Sequence, residues 1–185
     1  MKILITGVAG FIGSNIAKRF ISDGYKVIGI DDLSNGNINN IPFEVEFINI
    51  NLVDPNSFIK IPQDCDYILH LAGQSSGEIS YHNPVDDLEK NTISTLNLIN
   101  YAIKNKIKKF IYASSMSVYG DTDSNSNGVF EDQVLNPKSC YGIGKLSSEK
   151  YLNVYKNIFP FVSLRMFNVY GPGQDMQNMR QGMVS

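Results

Sequence analysis

Six short apolar runs, spaced widely enough for a crossover between each pair, constrain this chain more than any other feature. They are residues 2–6, Val27 to Ile30, Val45 to Ile48, Tyr67 to Leu71, Phe110 to Ala113 and Phe161 to Met166. Runs this short, rich in Val, Ile and Phe and flanked by turn residues, match strands covered on both faces. Helical signals fall between them. Residues 12–22 read as a helix, and Asp54-Pro55 and Asn136-Pro137 each place an acceptor at an N-cap with Pro at the first helical position. The second of these opens a helix running to about Asn157. A further helix is expected over 85–104, with Leu88, Leu96, Ile99 and Ile103 on its apolar face. Repeated strand–helix–strand units imply an α/β, doubly wound parallel sheet. Ligands in such sheets bind beyond the carboxyl ends of the strands. Asp121 to Gly128 reads as a solvated loop.

Composition narrows the class. The chain has 185 residues, 43% of them hydrophobic, which suits one domain or one domain plus the start of another. The net charge is −2 and Lys and Arg form no stripe, which argues against nucleic acid as a partner. Cys65 and Cys140 lie far apart, in no metal-binding spacing, and read as free thiols in a reducing cytoplasm. No metal site is expected. No apolar run approaches the ~18 residues of a membrane span. The opening Met1 to Ile5 reads as a strand, not a leader, because Gly7, Gly10 and Gly13 interrupt any longer apolar stretch.

The first strand ends in Thr6-Gly7-Val8-Ala9-Gly10-Phe11-Ile12-Gly13. Glycines in such a turn let the backbone approach a pyrophosphate and let the next helix pack on the strand. The helix start then offers N–H groups and partial positive charge to phosphate. The second strand ends at Asp31-Asp32, just before Asn35. A carboxylate there accepts from ribose hydroxyls and repels a 2′-phosphate, favouring NAD over NADP.

Tyr141 and Lys145 sit at i and i+4, on one helix face. A phenol has a pKa near 10. An ammonium about 5 Å away contributes roughly 3 kcal/mol at an effective dielectric of about 20. That is about two pKa units, enough to make Tyr141 a candidate general base beside a nicotinamide. Ser115, in the Ser114 to Gly120 segment after the fifth strand, can hydrogen-bond the same substrate oxygen. His70 ends a strand and reads as packed against the sheet, His82 as a loop residue, and Tyr151 and Tyr155 as core or interface.

Together these segments resemble the extended short-chain dehydrogenase/reductase family, in its NAD-dependent sugar epimerase/dehydratase branch. The residues that carry the resemblance are TGVAGFIG at 6–13, Asp31, HLAG at 70–73, Asn91, SSMSVYG at 114–120, YGIGK at 141–145 and RMFNVYGPG at 165–173. It implies a Rossmann-type domain over 1–166 and, over 167–185, the start of a smaller substrate lobe. It adds Asn51 and Leu52 near the adenine, although Asn51 stands where the family has an acid. It adds Leu71, Ala72 and Gly73 beside the pyrophosphate and nicotinamide, and Asn91 as support for the active site. Ser94 replaces a usual Gly. It implies Ser115, Tyr141 and Lys145 as catalytic, and Gln74, Met116, Ser117 and Asn168 as contacts to a nucleotide sugar. It also implies a homodimer through helices 85–104 and 138–157.

The reaction expected is 4-epimerisation of a UDP-sugar. Family dehydratases carry an Asp–Glu pair directly after the catalytic Ser or Thr, and here those positions hold Met116 and Ser117. A 4,6-dehydratase and a non-catalytic NAD-binding fragment are the alternatives. If the chain stops early in the substrate lobe, weak activity is expected, with Met176, Met179, Met183 and Val184 loosely packed.

Overall fold

In the computed structural model, residues 1–121 and 128–174 are described. The polar loop at 122–127 lies outside them, as do Met176, Met179, Met183 and Val184. Strands β1 (Lys2–Thr6), β2 (Lys26–Asp31), β3 (Glu46–Asn49), β4 (Tyr67–His70), β5 (Lys109–Ser115) and β6 (Phe161–Met166) form one sheet. All pairings are parallel and the order is β3-β2-β1-β4-β5-β6. The order reverses between β1 and β4, so a crevice opens beyond their carboxyl ends.

Alternation along β1 sorts the core into two layers. Leu4 joins Ile28, Ile30, Ile68, Leu98, Ile99, Phe110 and Leu152 on one face. Ile3 and Ile5 join Val8, Ala17, Val27 and Leu69 on the other. The helices are α1 (Phe11–Ser22), α2 (Gly77–His82), α3 (Pro84–Leu88), α4 (Ser94–Lys104) and α5 (Cys140–Val154). α1 sits close over β1 because Gly13 has no side chain: a Cβ there would collide with the Gly7 carbonyl oxygen.

Several sequence expectations are corrected. The span 85–104 is helical throughout, but a π turn at Glu89–Ile93 joins α3 to α4 and changes its phase. Leu88, assigned to the apolar face, is exposed, while Leu98, Ile99, Tyr101 and Ala102 are buried. The extra residue of a π turn shifts the helical phase, so positions before it cannot continue the stripe after it. Asp54 does cap, accepting from the Asn56 N–H, but the element it opens is a 3-10 helix, Pro55–Lys60. The cap of α5 is Ser139, accepting from the Gly142 N–H at 3.0 Å, not Asn136. His82 is the last residue of α2, not a loop residue. β6 is an edge strand that exposes Val162 and Leu164.

Candidate active site

The glycine turn binds its own strands first. Gly7 N–H donates to the Ile30 carbonyl at 2.7 Å, and Gly10 N–H to the Gly7 carbonyl at 3.1 Å. Gly10 is the N-cap of α1 and gives no side-chain cap, and among the described residues no side-chain hydrogen bond to the N–H groups of Phe11, Ile12 and Gly13 is seen. That is the arrangement an anionic phosphate fits. Asp31, 8% exposed, takes the Ala9 N–H at 3.0 Å and the Leu33 N–H at 2.9 Å. Burial pushes its carboxyl up, against those two N–H bonds. Oδ2 faces the glycine turn, and Oδ1 faces the loop after β2, where a Cβ on Gly36 would lie 2.9 Å from it. Asp32 instead accepts from the Ser34 N–H in its own turn, and Asn35 is exposed. Asn51 closes a turn on the Val53 N–H, and Leu52 is buried in the core.

Beyond β4, Leu71 and Ala72 donate their N–H groups to Thr6 Oγ1, at 3.2 and 3.1 Å. Thr6 Oγ1 lies 2.7 Å from His70 Nδ1, and His70 Nε2 lies 3.0 Å from Thr95 Oγ1. Counting donors fixes the tautomer. Both acceptor positions of Thr6 Oγ1 are used, so its proton goes to Nδ1, and Nε2 carries the ring proton. Thr95 in turn donates to the Asn91 carbonyl at 2.7 Å. His70 is thus a neutral core residue packed against the sheet, as expected from its place at a strand end. Burial, with Lys145 adding, drops its pKa to about 3.

The other wall is made by α3, the π turn and α5. Asn91 is buried on the π turn. Its Nδ2 donates to Asp87 Oδ1 at 2.9 Å, and its Oδ1 is buried without a hydrogen-bond partner among the described residues. That oxygen faces Gly73, whose φ of +154° and lack of Cβ leave room for it. Gln74 is buried, and its amide is engaged within the chain, donating to the Ser76 carbonyl at 2.6 Å and to Asp87 Oδ1 at 3.0 Å. Ser94 donates to the Lys90 carbonyl at 2.5 Å, a local packing role.

Tyr141 and Lys145 share the inner face of α5, with Lys145 Nζ 5.6 Å from the Tyr141 ring centre and 5.2 Å from that of Tyr112. Lys145 is buried, which lowers its pKa to about 8 against the pull of Asp87. Tyr141 departs from expectation. Burial holds its phenol above the ordinary value, Ser115 pulls it down and Asp87 pushes it up. Desolvation of the phenolate outweighs the help expected from Lys145. Ser115, 8% exposed, accepts from the Ser117 N–H at 3.1 Å and lies at the end of β5. Met116, Ser117, Tyr119, Lys138 and Phe167 line a cavity of about 390 Å³ next to it. Behind β5, Ser114 donates to Glu149 at 2.5 Å, and Glu149 pairs with Arg165 at 2.9 Å. Asn168 is exposed beyond β6. The segment after it returns over α1, where Asn15 Nδ2 donates to the Pro172 carbonyl at 3.1 Å. Asp87, which ties Gln74, Asn91 and Lys145 together, was missed from sequence. Its one signal is its i, i+4 spacing from Asn91.

Glycine turn, acidic strand end and buried Tyr–Lys pair define a doubly wound dinucleotide-binding protein with a Ser, Tyr and Lys at one strand–helix junction. The NAD dependent epimerase/dehydratase family model matches residues 3–185, and the chain belongs to that family. It is similar to a UDP-glucose 4-epimerase of Mycolicibacterium smegmatis, 36% identical over 184 residues that cover 95% of this chain and 58% of the relative. Among solved structures, the UDP-glucose 4-epimerase of Thermus thermophilus in complex with NAD superposes with a TM-score of 0.89 at 35% identity, over 95% of this chain and 58% of that one. That of Thermotoga maritima with UDP-glucose has a TM-score of 0.89 at 36% identity, over 98% and 60%. The chain therefore spans no more than about 60% of the length of the relatives it matches.

Proposed function

We propose that the protein is an NAD-dependent nucleotide-sugar 4-epimerase, acting on a UDP-sugar. The observation that supports this reading is that Ser115, at the end of β5, hydrogen-bonds Tyr141 on α5, with the buried Lys145 one turn on and its Nζ 5.6 Å from the Tyr141 ring centre. The site fits NAD: first-turn N–H groups of α1 for pyrophosphate, Asp31 for ribose, and Ala72, Gly73 and Asn91 alongside. Bound there, NAD supplies a hydride acceptor and donor. Tyr141 takes the proton of the sugar 4-hydroxyl, Ser115 holds that oxygen, and Lys145 compensates the phenolate charge. Epimerisation would be complete once the 4-keto sugar, having turned in the site, is reduced on its other face and Tyr141 gives the proton back to the C4 oxygen. Met116 and Ser117 sit where elimination of a C6 hydroxyl would need an acid, and neither supplies one. That favours epimerase over 4,6-dehydratase.

Three further assignments belong to this proposal. Residues 1–166 form the NAD-binding unit and the chain from 167 onward contributes to sugar binding, with Met116, Ser117 and Asn168 on the substrate side. The protein works in the cytoplasm; no described helix is long and apolar enough to cross a membrane. Two copies associate through α3–α4 and α5, where Val85, Leu88, Ile143, Tyr151 and Val154 are exposed.

The test is Tyr141→Phe in the full-length gene product. Turnover is expected to fall by about 10²-fold or more, the usual cost of an essential general base, with NAD affinity nearly intact. A variant keeping more than about a tenth of the wild-type rate would remove Tyr141 from that role.

A further inference from the structure

Asp87 is 1% exposed and has no cation within ion-pair distance among the described residues. Both amides that reach it, from Gln74 and Asn91, bind the same oxygen, Oδ1. Oδ2 points instead at α5, where a Cβ on Gly144, the residue before Lys145, would lie 3.2 Å away. Lys145 is likewise buried, at 4% exposure, and makes no ion pair among the described residues. A Cβ on Gly73 would lie 3.4 Å from Lys145 Nζ and 2.4 Å from Asn91 Oδ1, so the buried Asp87 carboxyl and the buried Lys145 amine both lie about Asn91 with no ion pair between them. Each is costly to bury alone; burial pushes the Asp87 carboxyl up, with Asn91 and then Lys145 opposing that, while Asp87 is the anion that supports the Lys145 charge.

We propose that Asp87 is a positioning residue of this site: its charge keeps Lys145 protonated, and its Oδ1 clamps the Gln74 loop to the Asn91 π turn. This rests on the catalytic role proposed for Lys145. The groups around the pair are few. Asp86, on α3, is held at the surface by Lys90 at 2.9 Å. Tyr141 lies on α5 and Tyr112 and His70 on the sheet, and His70 is neutral. Asp87 is thus the anion set against Lys145. The same charge opposes ionisation of Tyr141, so the carboxylate balances two demands: a charged lysine and a phenol that yields its proton only when substrate and cofactor are in place.

The test is Asp87→Asn in the full-length gene product, a change that keeps size and an acceptor oxygen but removes the charge. Lysine is labelled with 13C at Cε, and the Lys145 resonance is assigned by its loss in Lys145→Arg. Its titration midpoint, followed by NMR without substrate, is expected about one unit lower in Asp87→Asn. The falling alkaline limb of the rate profile is expected to move by the same amount, because the rate needs the ammonium. Asp87→Glu, which keeps the charge, is expected to restore both. An unchanged Lys145 midpoint in Asp87→Asn overturns the proposal, as does a midpoint that falls equally in Asp87→Glu. The NMR readout does not depend on turnover. A wild type inactive on every nucleotide sugar would defeat the epimerase reading while leaving the charge relation testable.

Discussion

His70 ties folding to pH. Its pKa falls from the ordinary 6.5 to about 3 in the fold, so between those values the unfolded chain binds a proton that the native chain does not. Stability from this group is whole above 6.5 and is lost as pH falls toward 3. At pH 5 the loss is about 2 kcal/mol. Denaturant midpoints at pH 7 and pH 5 are expected to differ by that much in the wild type and by distinctly less in His70→Asn; equal pH dependence in the two would refute it. Lys145 runs the same way in a higher pH window. Its charged form is disfavoured in the fold, so stability rises as pH climbs from about 8 toward its ordinary 10.5. The ribose role proposed for Asp31 makes it the residue that sets cofactor choice, since a 2′-phosphate would meet its buried carboxylate. Calorimetric titration is expected to give NADP at least about tenfold weaker binding than NAD, some 1.4 kcal/mol; equal or tighter NADP binding would contradict the ribose role.

Elements inherit their positions from a few polar ties. Glu149 on α5 joins Ser114 on β5 to Arg165 on β6, and Arg165 also reaches the Tyr119 hydroxyl and the Glu131 carbonyl. Glu149 and Arg165 side chains are 9% and 18% exposed. Arg165→Met leaves the Glu149 charge buried without a partner, which is expected to destabilise the fold by roughly 3 kcal/mol, measured by urea unfolding. A loss under about 1 kcal/mol would mean the pair acts as a surface contact. These ties also mark where sequence reading stops. All six strands were legible: β1, β2, β4 and β5 because covered parallel strands must be nearly all apolar, and the edge strands β3 and β6 from the short apolar runs they carry. The π turn was not, because its extra residue leaves the apolar spacing on either side intact and only rotates one part against the other. Asn136 looked like a cap, but its N–H pairs with the Tyr119 carbonyl at 3.4 Å, so the chain stays extended until Ser139. Motif residues such as Tyr141 and Lys145 could be read from spacing. The raised Tyr141 phenol and the burial of Asp87 depend on contacts between segments far apart in the chain.

At the scale of the molecule, one crevice gathers the candidate site. The glycine turn and the loop after β4 flank the point where strand order reverses, and β5 and α5 bring Ser115, Tyr141 and Lys145 to its far side. The chain belongs to the NAD dependent epimerase/dehydratase family, and within the reading proposed above the absence of an acid at 116 and 117 favours inversion at C4 over water elimination. Product analysis tests this most directly. The full-length gene product is incubated with NAD and a panel of UDP- and dTDP-sugars, and the nucleotide sugars are separated and identified. The account predicts the C4 epimer of a UDP-sugar and no 4-keto-6-deoxy product from dTDP-glucose; a 4-keto-6-deoxy sugar in place of an epimer would contradict it.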